Sequence, residues 1–287
     1  MRINPVKRGG TEPAPYKEVH PMSWTQVCYQ YDGSYPGFLS CVFDSYVNRE
    51  EPVEFRTPED MCCSLYPLRT VETDEGHAQR VYRSFAKFGA EGRRLVVRCF
   101  LTCLPDKELW LWRYLRLAYD QGPKISRNLT DPTVDKIRKA VWHLEHEAHM
   151  YKGFTRFSDL DGVLAGEIEP KNRVLPLLRD HFCGRYPQEN FVLHDRIHHE
   201  ALFHRPGPQG WAILPVEDFS LGPAGEAELQ YRKLWRAFYN TIAIEGRYNP
   251  KCRMTNMPKR YWAMMTEFQK DWDTALPEVH TLPFAPK

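Results

Sequence analysis

The sequence predicts an α+β fold with a mostly helical N-terminal part, a small antiparallel sheet around residues 153–215 and a closing C-terminal helix. Three observations predict it. Apolar residues recur at steps of three and four along several long segments, the spacing of a buried helix face. From Phe154 to Leu214 the texture changes to short apolar runs separated by turn residues. Those runs are grouped in sequence and do not alternate with helices, which argues against a doubly wound sheet.

Taken in order, Val27–Tyr31 reads as a strand and Asp32-Gly33 as a turn. Ser34 caps a helix carrying Phe38, Leu39, Val42, Phe43 and Tyr46. Glu50 to Arg69 is polar and proline-bearing, with one strand near Val53–Arg56. A helix opens at Thr73-x-x-Gly76, runs through Val81, Tyr82 and Phe85, and is broken by Gly89 and Gly92. Leu95–Leu104 and Glu108–Tyr119 are two further helices. Asp131-Pro132 starts the clearest helix, with proline in its first turn. Its apolar face is Ile137, Val141, Leu144, Ala148 and Tyr151, and Gly153 ends it. Phe154–Phe157 and Val163–Ile168 read as strands joined by Asp161-Gly162, a hairpin signal. A short helix, Val174–Phe182, precedes strands at Phe191–His194, Glu200–Phe203 and Trp211–Leu214. Glu226–Glu245 is the closing helix, with Tyr231, Leu234, Trp235, Phe238 and Ile242 on one core-facing stripe. The expected organisation is a flexible arm over 1–24, one α+β domain over 25–270 and a tail over 271–287.

The chain has 287 residues, 42% apolar and 26% charged, which is ordinary globular usage. That excludes a disordered chain, a collagen and a disulfide scaffold. No apolar run approaches the roughly 18 residues of a membrane span. The polar, proline-bearing start lacks the apolar stretch of a secretory signal. A cytoplasmic protein with no membrane partner is expected. The eight cysteines include no Cys-x-x-Cys pair. Cys99 and Cys103 lie four apart, but no two further ligands have metal spacing. The thiols are therefore expected to be reduced and structural, with no metal site and no cofactor.

The net charge of +2 hides an asymmetry. Between Tyr231 and Trp262 there are eight basic residues and one acid, Glu245, with seven aromatics interleaved. Basic groups neutralise phosphates, and aromatic faces stack on unpaired bases. Lys259, Arg260, Tyr261 and Trp262 close that segment. A second patch is Lys152-Gly-Phe154-Thr-Arg156, where a helix gives way to a strand. Arg113 and Arg116 lie three apart on one helix face, where a backbone phosphate fits. Each set has a plainer reading as a solvated face or a carboxylate pair.

Glu145-His-Glu-Ala-His149 has one residue too few between its histidines for the zincin pattern. Glu147 and His149 lead into the Lys152–Arg156 patch, where an acid and a histidine suit acid–base work or the orientation of arginines. His194-Asp195 at a strand end is a turn former or a second such pair. There is no nucleophile elbow, phosphate loop or dinucleotide fingerprint.

These pieces occur in a recognisable order. It runs Tyr31-Asp-Gly-Ser34, Gly37-Phe38-Leu39, Arg113-Tyr-Leu-Arg116, then Glu147-Ala-His-Met-Tyr-Lys-Gly-Phe-Thr-Arg-Phe157. Ile168-Glu-Pro170, Val174-Leu-Pro-Leu-Leu178, His181-Phe182, His194-Asp195, Asn249-Pro250 and Met257-Pro-Lys-Arg-Tyr-Trp262 follow. The chain resembles the bacterial family of probable DNA metabolism proteins, a domain of unknown function, over roughly residues 25 to 270. The resemblance implies a partner, a radical S-adenosylmethionine protein of DNA modification or repair. Some members are fused to a uracil-DNA-glycosylase-like domain, which a chain ending near 287 is expected to lack. It also lacks the cysteine triplet of the radical enzyme.

Three functions are then in play. The first is a DNA-binding accessory protein of DNA repair, with phosphate or base contacts at Lys152, Phe154, Arg156, Arg113, Arg116, Lys259, Arg260, Tyr261 and Trp262. The second is a DNA-acting hydrolase using Glu147, His149, His194 and Asp195. The third is a protein-interaction module without DNA affinity.

Overall fold

The structure, a computed structural model, describes residues 24–60, 63–208, 210–217, 219, 222, 225–242 and 249–268. The expected arm up to residue 23 and the expected tail lie outside the described residues. So do Glu245, Arg247 and Tyr248 of the cationic segment. Contacts divide the chain into two compact units, Met1–Ser84 and Phe85–Lys287. Among the described residues no helix is long and apolar enough to cross a membrane.

The first unit contains β1 (Thr25–Gln30), α1 (Tyr35–Asn48), β2 (Glu50–Arg56), β3 (Leu68–Thr70) and α2 (Glu75–Ser84). Its three strands form a parallel sheet in the order β2-β1-β3. The sequence pattern shows this part as mostly helical because β3 has three residues, all exposed, and no apolar alternation. Parallel neighbours need a crossover, and α1 supplies it between β1 and β2. Ser34 caps α1 as expected, its Oγ accepting from Gly37 N at 2.9 Å. Asp32 accepts from Ser34 N at 2.9 Å and from the Thr73 hydroxyl at 2.7 Å, tying the ends of β1 and β3. A Cβ on Gly37 would lie 2.1 Å from Asp32 Oδ1 and 2.8 Å from Thr73 Oγ1, so a larger residue would have to displace the Asp32 carboxylate from its bonds. Burial pushes the Tyr29 phenol well above its ordinary value, and its bond to Glu50 adds to the effect.

The second unit contains α3 (Gly89–Phe100), α4 (Lys107–Gln121), α5 (Pro132–Phe154), β4 (Ser158–Leu160) and β5 (Val163–Ile168). It continues with α6 (Leu175–Arg185), β6 (Asn190–Asp195), β7 (Glu200–His204) and β8 (Trp211–Pro215), then α7 (Glu226–Thr241) and α8 (Pro250–Asn256). The five strands run β4-β5-β6-β7-β8. This sheet is mixed, which corrects the antiparallel expectation. β5 and β6 are parallel because α6 carries the chain back between them, and the other pairs are antiparallel. Leu144, Ile168, Leu178, Phe182, Phe191, Leu193 and Leu202 form one core cluster between α5, α6 and the sheet.

Three local expectations need correction. Gly92 does not break a helix. It lies inside α3, where a Cβ would stand 2.7 Å from Phe88 Cβ and 3.0 Å from Ser126 Oγ. Phe154 belongs to the last turn of α5 and not to a strand, since Thr155 N and Oγ1 both close back onto Tyr151 O. The third concerns α7. Tyr231, Leu234, Trp235, Phe238 and Ile242 are 71%, 66%, 40%, 53% and 58% exposed, so the stripe read as core faces outward.

A buried polar node joins the helices to the sheet. Glu147 on α5 accepts from Lys171 N at 3.2 Å, Asn172 N at 2.9 Å and Asn172 Nδ2 at 2.6 Å. Asn172 Oδ1 in turn accepts from Cys103 N at 2.9 Å. Asn172→Ala removes a charge-assisted bond and strands a backbone donor. Bonds to charged groups contribute about 1.5–3 kcal/mol, so the loss should be about 3 kcal/mol. Urea unfolding of the variant measures it, and a loss below about 1 kcal/mol would show the node to be dispensable.

Candidate nucleic-acid interface

The end of α5, the end of α6 and the first half of α7 line an open cleft of about 540 Å³. Gly153, Thr155, Arg156 and Phe157 line it from α5 onward, Arg185 and Tyr186 from α6, and Glu228, Tyr231, Arg232 and Trp235 from α7. The wall is thus three arginines and four aromatic rings, with one carboxylate.

The arginines are not equivalent. Arg156 forms a two-pronged bond with the buried Glu267, at 2.8 and 3.2 Å, and also donates to Gly153 O. A phosphate on Arg156 would have to displace a carboxylate, so its geometry is that of a clamp. Arg232 bonds Glu228 at 2.8 Å and Ser158 Oγ at 2.5 Å. Arg185 is exposed, and among the described residues it has no carboxylate partner; its Nε donates to Tyr186 Oη at 3.3 Å. Lys152, in the last turn of α5, is exposed. The His181 imidazole on α6 registers both cations. Burial, then the charges of Lys152 and Arg185, hold it below the usual histidine range.

The remaining predicted contacts fall elsewhere. Lys259 and Arg260 are exposed, in a 3-10 turn over Lys259–Met264. Arg260 bonds Tyr261 Oη at 2.5 Å and lies 3.8 Å from Glu147 Oε1. Tyr261 is buried, its ring 5.0 Å from Tyr151 and 5.2 Å from Phe154. Neither Tyr261 nor Phe154 therefore offers a free face to a base. Trp262 donates to Met257 O and is stacked on Phe268, with Arg253 over its ring at 4.8 Å. On α4, Arg113 is exposed over Trp110 and Arg116 lies over Trp112. Neither lines the cleft.

The four acid–base candidates each have a separate place. Glu147 is consumed by the Asn172 node. His149 is exposed on α5. His194 is buried, 3.5 Å from Glu167 and against the Phe219 ring. Asp195 is fully buried and builds the turn after β6, accepting from Ile197 N and His198 N. Its second oxygen bonds His198 Nδ1 at 2.7 Å. The histidine that Asp195 holds is thus His198 and not its neighbour His194. No hydrogen bond or ion pair links any two of the four among the described residues. No group of three or more metal-ligating side chains occurs among the described residues either.

Sequence reasoning missed Arg185 and Tyr186. The signal was an arginine–tyrosine pair at a helix end, the same basic–aromatic pattern that drew notice to Lys152–Arg156. It placed Tyr231 and Trp235 in the core, where the structure puts them on the cleft.

Residues 105–267 match the family described as a domain of unknown function, DUF4130, over more than half of the chain. The chain belongs to that family. No curated protein matches it. Among solved structures, a pGpG-specific phosphodiesterase, PggH from Vibrio cholerae, is similar at 10% identity and a TM-score of 0.31. The match covers 62% of this chain and 81% of that one. At that score it carries no argument about fold or activity.

Because its value is depressed in the folded state, His181 favours folding above the unfolded value near 6.5 and loses that contribution as pH falls below it. Titration by NMR should find its midpoint below 6.5, and Lys152→Met or Arg185→Met should each move it upward. A midpoint unmoved by both variants would separate those cations from the imidazole.

Proposed function

We propose that this chain is a DNA-binding accessory protein of DNA repair or modification, working with the radical S-adenosylmethionine partner that the resemblance implies. The observation that carries it is a set of exposed cations with no carboxylate partner among the described residues: Arg185 at the cleft, Lys152 at the end of α5 and Lys259 on the 3-10 turn, next to Arg260, which lies 3.8 Å from Glu147. Such groups are the ones available to phosphates. Arg156 supports the site by holding Glu267 and does not itself contact DNA in this reading. The hydrolase reading required Glu147, His149, His194 and Asp195 to converge, whereas Glu147, His194 and Asp195 are held by different neighbours and His149 is exposed on α5.

For duplex DNA the slope of log K against log salt is about −0.9 per phosphate neutralised. Fluorescence anisotropy over a salt series should give a slope for several contacts. Lys152→Glu with Lys259→Glu should weaken binding alike across sequences and flatten the slope by about 2. An unchanged affinity and slope would overturn the phosphate assignment.

The exposed α7 stripe favours a second role, docking the partner protein through Leu234, Phe238 and Ile242, since exposed apolar patches of this kind mark interaction sites. Leu234→Asp with Ile242→Asp should abolish co-purification with the radical S-adenosylmethionine protein and leave DNA affinity unchanged. Retained co-purification would exclude this stripe.

A further inference from the structure

Phosphate contacts alone leave half of the cleft unused. Tyr231 and Trp235 lie one helical turn apart on α7 and both line it. Tyr231 is the most exposed large hydrophobic side chain of that helix, and no other ring packs on it among the described residues. Trp235 is held in place by Phe238 at 5.8 Å and by the Arg156 guanidinium at 6.0 Å. Arg156 is itself fixed by the buried Glu267. The cleft therefore has a fixed aromatic wall, one open aromatic face and an unpaired cation, Arg185, on the α6 side. Its volume of about 540 Å³ is that of a small-molecule pocket, and so is ample for one base.

A duplex hides its base faces and presents phosphates to a protein surface. An apolar segment of a partner would use the rings and leave Arg185 and Lys152 facing nothing. An unpaired nucleotide uses both, stacking its base and placing the adjoining phosphate on a cation, and stacking tolerates any base. We infer that the cleft takes one unpaired base of DNA against Tyr231, with the flanking phosphate on Arg185 and Lys152, so that the protein prefers single strands to duplex. This rests on the DNA-binding reading above and names the form of DNA that the site recognises.

Anisotropy with a labelled oligothymidine and with a duplex of equal length tests it. The wild type should bind the single strand more tightly. Tyr231→Ala should weaken single-strand binding about tenfold and leave duplex binding unchanged, and Tyr231→Phe should restore it. An oligonucleotide carrying 2-aminopurine should be quenched by the wild type and by Tyr231→Phe, and not by Tyr231→Ala. Circular dichroism confirms that each variant is folded, as expected for an exposed ring. Equal loss on both DNAs, no loss on either, or tighter duplex binding by the wild type would overturn the inference. If Lys152→Glu with Lys259→Glu also changes nothing, the DNA-binding reading falls with it. If that pair weakens both DNAs while Tyr231→Ala has no effect, only the base-in-cleft inference falls.

Discussion

The second unit depends on one buried carboxylate. Glu147 is almost fully buried on a 23-residue helix, and an ionised carboxylate there is tolerable only if its oxygens are filled. Three donors from Lys171 and Asn172 fill them, and Asn172 passes the constraint to the α3–α4 connection through Cys103 N. Three segments far apart in sequence thus meet at one point. That point fixes where α6 begins. α6 has 11 residues, a rod of roughly 16 Å, so fixing its start also fixes its end. Arg185 and Tyr186 are delivered there, beside Lys152 and Gly153 at the end of α5. The cleft is a distant consequence of the node.

The same logic sorts the arginines. Glu267 is as buried as Glu147, and losing its partner would strand a charge, which costs about 3–5 kcal/mol. Arg156 is therefore bound to structure. Arg94 and Arg98 likewise share Glu145. The cations left over are those that no buried carboxylate claims. A count of basic residues does not separate the two classes, because the separation lies in partners from other parts of the chain.

This explains how far the sequence could be read. Features set by local chemistry were legible: the Ser34 cap, the Asp131-Pro132 start of α5, the Asp161-Gly162 hairpin and the Asp195 turn. Features set by remote partners were not. The parallel pairing of β5 with β6 depends on where α6 returns the chain, and the three-residue β3 carries no periodic signal. Tyr261 and Tyr231 are both tyrosines in a basic, aromatic stretch. One is buried against Tyr151 and Phe154 while the other is exposed, and only the tertiary fold tells them apart. Periodicity showed that α7 is amphipathic without showing what covers its apolar face.

What holds α7 bears on its use. None of its described side chains is buried. The helix is tied to β4 by polar links, Glu228 accepting from Asp159 N and Arg232 reaching Ser158 Oγ, and Tyr239 packs edge-on against Phe268 at 5.8 Å. Polar ties near the surface contribute about 0.2–1 kcal/mol each, much less than burial of a core helix face. Elements with few buried apolar contacts belong to the low-stability end of a fold, where binding surfaces are drawn from. Covering Tyr231 and Trp235, or Leu234 and Phe238, supplies the burial that the chain itself does not. A ligand in the cleft and a partner on the outer stripe would then order the same helix, and each would favour the binding of the other.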